Sequence, residues 1–89
     1  MRKLEIFKIL LERNNLSHLC NINGFGNGNV FMEYENRNWI VYEEVDEIQV
    51  NRQIHLKIEF ACMDVLKRIT SDWKELYDNF STLCSVFDK

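Results

Sequence analysis

The chain has 89 residues, 46% of them apolar and 28% charged, with a formal net charge of −3 at neutral pH. This length predicts one domain with one compact core, covering residues 1–89, and the composition excludes an intrinsically disordered chain. No apolar run approaches the roughly 18 residues of a membrane-spanning helix, and charges interrupt the start of the chain, where a secretory signal needs an unbroken apolar centre. We therefore expect a soluble, cytoplasmic protein that does not contact a membrane.

The first predicted element is an amphipathic helix over residues 2–13. Apolar side chains recur at helical spacing in KLEIFKILLER, while most charged ones keep to the other side. The asparagine pair at 14–15 ends this helix, because asparagine tolerates the left-handed conformation that closes one. Residues 17–29 then predict a loop with a short strand within residues 18–22.

The stretch NGFGNGN at residues 23–29 contains all three glycines of the chain, Gly24, Gly26 and Gly28. A phosphate-binding loop leads directly into a helix and carries a lysine and a hydroxyl residue. This stretch contains neither residue type and leads into the strand-like NVFMEY. We interpret it as a flexible connector whose glycines permit the turns before the next strand. A second interpretation is a mobile recognition loop with Phe25 at its tip.

The central part of the chain predicts an antiparallel hairpin and a third strand. NVFMEYE and NWIVYEEV alternate along their length and are rich in β-branched and aromatic residues. Residues 35–38 between them have the length and chemistry of a tight turn. A third strand is expected within residues 48–58, where IQVNRQIHLKI alternates again.

From residue 59 the apolar spacing changes to about three and a half residues, which predicts one long helix or two helices in line. Residues 70–72 mark the possible break, because threonine, serine and aspartate prefer helix caps. Residues 83–89 predict a further short helical turn that docks Val86 and Phe87. The sequence therefore predicts an α+β fold: an N-terminal helix, a three- to four-stranded antiparallel sheet, and a C-terminal helical segment packed on one sheet face.

Cysteine and histidine provide no clear chemical site in the sequence. Cys20, Cys62 and Cys84 are widely spaced and form no C-x-x-C pair, so we predict reduced, buried thiols. His18 and His55 lie in different predicted elements, and a structural zinc site needs four ligands in tight geometry. We predict no catalytic residue, no metal and no cofactor.

Negative charge is concentrated in the predicted hairpin. Residues 33–47 contain six acidic side chains and one basic side chain, Arg37. Such a patch attracts a basic protein partner and repels nucleic acid, so we expect no direct nucleic-acid binding. A charged sheet edge that prevents aggregation between strands is the alternative explanation.

The two aromatic side chains beside the acids favour the binding interpretation, because aromatic residues are common anchors at interfaces. Core packing is the competing role for Trp39. Alternation predicts Glu33 and Glu35 on one sheet face, with Glu43 and Glu44 on opposite faces. The predicted binding residues are Glu33, Glu35, Trp39, Tyr42, Glu43, Glu44, Asp46 and Glu47.

The order of these features resembles a known family. KLEIFKILLERNN, INGFGNGN, NVFMEYENRNWIVYEE and EFACMDVLKRI supply a short helix, a glycine-bearing loop, a hairpin with a W-x-V-Y strand and a helix entered through Ala-Cys. Over about residues 2–69 the chain resembles small bacterial immunity proteins of contact-dependent growth inhibition and related polymorphic toxin systems.

The resemblance implies a non-enzymatic inhibitor that binds one cognate toxin C-terminal domain, one to one, in the producing cell. Many such toxins are basic nucleases, which suits an acidic hairpin, and neutralisation would occlude the toxin's active site or substrate path. Two other functions stay open on the sequence alone. One is a small regulatory or phage-type adaptor that acts through protein–protein contacts, and the other is a small enzyme.

Overall fold

An N-terminal helix, a four-stranded sheet and two C-terminal helices follow one another along the chain. The computed structural model describes residues 2–87. The elements are α1 Arg2–Arg13, a short 3₁₀ turn Ser17–Leu19, β1 Cys20–Ile22, β2 Val30–Glu35, β3 Asn38–Val45, β4 Ile48–His55, α2 Ile58–Ile69 and α3 Trp73–Phe87. This order confirms the predicted α+β class, with its N-terminal helix, central hairpin and C-terminal helical segment.

The sheet is mixed rather than antiparallel throughout. Its strand order is β1-β2-β3-β4, and the β2–β3 and β3–β4 pairs are antiparallel as predicted. Strand β1 pairs with β2 in parallel, with Cys20 opposite Val30. The predicted antiparallel sheet is therefore confirmed for β2, β3 and β4, and β1 joins it in parallel because residues 23–29 reverse the chain twice and return it to β2 in the direction of β1.

The glycine-rich connection is held by its own backbone hydrogen bonds. Ile22 and Phe25 donate backbone hydrogen bonds to each other's carbonyls, at N···O distances of 2.7 and 2.9 Å, so the chain first folds back along β1. Gly28 N–H then donates to the carbonyl of Cys20 at 3.1 Å. Gly24 N–H donates to Asn21 Oδ1 at 2.9 Å. These amides are hydrogen-bonded within the chain.

Glycine is required here by conformation and by space. Gly24 and Gly26 have φ of +96° and +94°, which side-chain-bearing residues rarely adopt. A Cβ on Gly26 or Gly28 would overlap the backbone of the preceding segment, around Leu19 and Cys20. The glycines therefore let the connection lie directly against β1.

One face of the sheet packs against the helices to form a single core. Met32, Trp39 and Val41 lie on this face, and they share a buried cluster with the inner side chains of all three helices. The rings of Phe7 in α1 and Phe80 in α3 meet edge to face, with centroids 5.5 Å apart. Helix α2 contacts β2, β3 and β4.

The predicted break between two C-terminal helices is confirmed. Thr70 adopts an extended conformation after α2, and its Oγ1 accepts a hydrogen bond from the Asp72 amide at 3.1 Å. The predicted docking of a short turn over residues 83–89 is wrong for the part described. Helix α3 continues through Phe87, and both Val86 and Phe87 are more than half exposed. Residues 88 and 89 lie outside the described range.

Candidate functional site: the open face of the sheet

The sheet has a second face, turned away from α2, which we call the open face. Strand alternation places on it the residues of β2 and β3 that lie between the core-facing ones. The buried cluster formed by the helices contains Trp39 and Val41 but neither Ile40 nor Tyr42. On β2 and β3 the open face consists of Phe31, Glu33, Glu35, Ile40, Tyr42 and Glu44. The exposed Ile54 of β4 lies opposite Ile40 on the same side of the sheet.

An aromatic pair lies at the centre of the open face. Phe31 and Tyr42 are cross-strand neighbours in β2 and β3, and their rings stack in parallel with centroids 5.0 Å apart. Tyr42 is only 5% exposed, although no helix packs over it. The stack therefore forms a pre-ordered, largely apolar platform beside the charged side chains of this face.

Carboxylates surround the Tyr42 hydroxyl. Burial raises the pKa of this phenol from 10.0 to about 12, and the charge of Glu33, which also accepts its hydrogen bond, acts in the same direction. The charges of Glu44 and Glu35 raise it further. Three negative side chains therefore converge on one side of the sheet, and each destabilises any further negative charge placed there.

The acids of the open face differ from Glu43 in their pairing. Within residues 2–87, Glu33, Glu35 and Glu44 form no ion pair. Glu43 points to the helical side of the sheet, where its Oε2 accepts a hydrogen bond from Arg68 Nη1 at 3.2 Å. Glu43 thus has a partner inside the fold, whereas the three open-face carboxylates keep their charge available to another molecule.

Arg68 joins α2 to the outer strands. Besides Glu43, its guanidinium donates to Asp64 Oδ1 at 2.9 Å and to the Asn51 carbonyl at 2.7 Å. Asn51 has φ of +55° and lies at the irregularity in the β3–β4 register, so Arg68 fixes a β-bulge. Asp64 also contacts His55, with Nε2 and Oδ2 2.8 Å apart. This network gives Glu43 a structural role.

The remaining predicted binding residues lie apart from the open face. Trp39 is 4% exposed on the core side, where its ring meets that of Tyr34 at a centroid distance of 4.9 Å. Asp46 and Glu47 are exposed in the β3–β4 turn, and both have positive φ. The structure therefore brings together Glu33, Glu35, Tyr42 and Glu44, but places Trp39 and Glu43 on the opposite side of the sheet.

Sequence reasoning missed two members of the open face, Phe31 and Ile40. The signal was available: a two-residue turn at Asn36 and Arg37 sets the register in which Phe31 faces Tyr42 and Glu33 faces Ile40. Given that register, the alternation that groups Glu33 with Glu35 also groups both apolar residues with Tyr42.

The thiols and histidines were the other candidates for chemistry. Burial raises the pKa of Cys20 to about 11 and that of Cys62 well above its ordinary value, so both thiols are protonated at neutral pH. His55 contacts Asp64 rather than a thiol. Within residues 2–87, no group of three or more His, Cys, Asp or Glu side chains is arranged to hold a metal ion.

Comparisons of the chain with protein-family models, with curated proteins and with solved structures gave no match. In the part of the chain that the structure describes, no helix has both the length and the apolar character needed to cross a membrane.

Proposed function

We propose that the protein is an immunity protein that binds the C-terminal domain of a cognate secreted toxin and neutralises it inside the producing cell. The resemblance of residues 2–69 supports the class of function. The open face supports the mode of binding, with one toxin domain per chain and no cofactor. The toxin we expect is a nuclease, whose basic substrate path the open face would cover.

The observation that carries this proposal is the composition of the open face. The Phe31–Tyr42 stack lies at its centre. The carboxylates of Glu33, Glu35 and Glu44 lie around the stack and form no ion pair among the described residues. An apolar, ordered centre with a charged rim is the usual anatomy of a protein–protein interface. A basic partner would remove water from the aromatic centre and pair with the rim carboxylates.

The charge of the open face also defines the binding mechanism. A concentrated negative field steers a basic domain toward the sheet and raises the association rate at low salt. A nuclease must present positive charge to its substrate phosphates, so the surface attracted is the one that catalysis needs. Once bound, the toxin is inhibited because the substrate path is occupied.

The direct test is protection from the toxin domain that the proposal expects to be encoded next to this gene. That domain is expressed in bacteria with or without the protein, and growth is measured. We expect the unmodified protein to restore growth, and the double variant Glu33→Lys with Glu44→Lys to fail. The matched control is Glu12→Lys with Asp78→Lys, which makes the same charge change at exposed positions on α1 and α3.

The outcomes separate the function from the site. If the unmodified protein does not protect, and no toxin domain is recovered with it from its native host, the immunity function is wrong. Protection that both double variants retain would support the function but contradict the open face as the binding site. Circular dichroism of both variants checks that the fold is intact.

A further inference from the structure

The β3–β4 hairpin ends in four exposed residues, 45–48, which we call the tip. Arg68, in the last turn of α2, contacts the Glu43 carboxylate and the Asn51 carbonyl. The tip lies beyond these two contacts, and its turn begins three residues after Glu43, a distance of about 10 Å along an extended strand. The hairpin therefore projects past the point where Arg68 ties it to the helix.

Two apolar side chains of the tip are paired across the strands and exposed. Val45 and Ile48 are cross-strand partners immediately before and after the turn, and they are 50% and 63% exposed. The corresponding positions at the β2–β3 turn are polar, Glu35 and Asn38. An apolar pair at such a position gains free energy only when another molecule covers it.

The two residues of the turn itself are acidic. Asp46 and Glu47 have φ of +51° and +67°, the combination of a type I′ turn, for which Asn-Gly is the preferred pair. Neither carboxylate forms an ion pair within residues 2–87. Arg37 has φ of +68° at the matching position of the β2–β3 turn, so conformation alone does not distinguish the tip. The distinguishing feature is the combination of two unpaired acids with an exposed apolar pair.

We propose that the tip inserts into the basic substrate path of the toxin domain while the open face covers the surface beside that path. This inference rests on the proposed function and names the part of the protein that enters the path. Glu44 of the open face immediately precedes the tip, so a domain seated on the open face also lies against the tip. Both surfaces are acidic and attract the same basic partner.

The shape and chemistry of the tip suit a path that admits a nucleic-acid strand. Its two strands lie about 4.8 Å apart, and it projects by about 10 Å. A nucleic-acid path offers basic groups to the phosphates and apolar or aromatic surface to the bases. In the complex, the carboxylates of Asp46 and Glu47 take the place of phosphates, and Val45 with Ile48 takes the place of a base.

The test replaces the turn of the tip by one that is uncharged and folds more favourably. Asp46→Asn with Glu47→Gly introduces the preferred Asn-Gly pair, and Arg37→Gly introduces the same pair at the β2–β3 turn as the matched control. Both variants should raise the urea midpoint of unfolding. Only the tip variant should dissociate faster from the toxin domain of the protection test, by about tenfold or more in stopped-flow displacement.

A second control separates contact from long-range attraction. Glu12→Gln with Asp78→Asn also removes two negative charges, at exposed positions on α1 and α3. This variant should change only the rate of association, because distant charges steer the encounter without touching the bound partner.

The outcomes separate this inference from the proposed function. If the unmodified protein binds no toxin domain, the proposed function is wrong and the inference fails with it. If it binds, and the tip variant dissociates no faster, only the inference is wrong. A tip variant that changes the association rate alone would also overturn insertion, because its acids would then act only by steering. A tip variant with a lower urea midpoint would overturn it as well, because Asp46 and Glu47 would then serve the fold.

Discussion

Tyr42 shows how a single residue is placed by both strand pairing and surrounding charge. It lies on the side of the sheet that no helix covers, yet its side chain is buried beneath the flat face of Phe31 and beside the carboxylate of Glu33. A phenol in this position has little water to stabilise its anion and several negative neighbours that oppose it. Its ionisation therefore reports directly on the electrostatics of the open face.

We predict that Tyr42 ionises late in an alkaline titration. Its pKa in the folded protein is about 12, against an ordinary value of 10.0, so folding favours the neutral phenol. This contribution to stability is fully present below pH 10 and is lost as the pH rises through about 12. Two pKa units correspond to about 3 kcal/mol in the free energy of unfolding. Ultraviolet absorbance of phenolate, followed against pH, measures the shift.

Variants assign that late transition to its causes. Tyr42→Phe should remove the late transition. Glu33→Gln should move the transition toward lower pH, because the variant loses a negative charge near the phenol and a charged acceptor for the phenolic hydrogen bond. Circular dichroism recorded on the same samples shows whether the fold persists. A Tyr42 that ionises near pH 10 in the folded protein would contradict the enclosed, negative environment of the open face.

The neighbours Trp39 and Tyr42 show what the sequence alone left undecided at this scale. Alternation placed them on opposite faces, but both faces of β3 are apolar in the middle, where four successive residues are buried. Periodicity cannot then tell which face receives the helices. The decision depends on α2, whose apolar side packs against Met32 and Val41, and that long-range contact has no local signal.

At the scale of elements, the β1–β2 connection is the part that sequence patterns did not predict. Parallel neighbours usually need a crossover of a dozen or more residues, whereas residues 23–29 make this connection in seven. The chain achieves it by folding back along β1, which only glycine permits at the points of closest approach. The strands were predictable from composition, but the direction in which β1 pairs depends on this backbone contact.

We predict a graded response to alanine at the three glycines. Gly24→Ala meets only an unfavourable φ, since no atom lies within 4 Å of the added Cβ, and should lower the free energy of unfolding by about 1 kcal/mol. Gly26→Ala adds a backbone overlap to the same strain, and Gly28→Ala meets an overlap alone. Both should cost about 2 kcal/mol or more.

Urea unfolding of the three variants measures this order, and Gly24→Ala is the internal control for the effect of φ. Equal losses at all three positions would show that the close approach of the connection to Leu19 and Cys20 is not what requires glycine.

At the scale of the whole molecule, the fold divides its acids into two groups. Glu43, Glu59 and Asp64 have basic partners within the structure, and the hydrogen bond to Lys3 lowers the pKa of Glu59. The carboxylates of the open face have none among residues 2–87. From the sequence, Glu43 and Glu44 were both predicted as binding residues. Only the position of Arg68 in the fold shows that Glu43 has a basic partner and that Glu44 has none among residues 2–87.

This division predicts opposite consequences for two adjacent charge reversals. Glu43→Lys sets an ammonium against Arg68 and should lower the free energy of unfolding by about 2 kcal/mol. Glu44→Lys relieves repulsion around Tyr42 and should leave stability within about 0.5 kcal/mol of the unmodified protein. On the proposed function, Glu44→Lys slows association with the toxin domain by about tenfold and reduces its salt dependence, since the steering charge lies on the open face. Urea unfolding measures the stability of the two variants, and stopped-flow association at two salt concentrations measures their rates of binding. If both variants lost the same stability and the same association rate, the assignment of the open face would be contradicted. A shared defect in folding would then explain the loss of stability and the loss of binding.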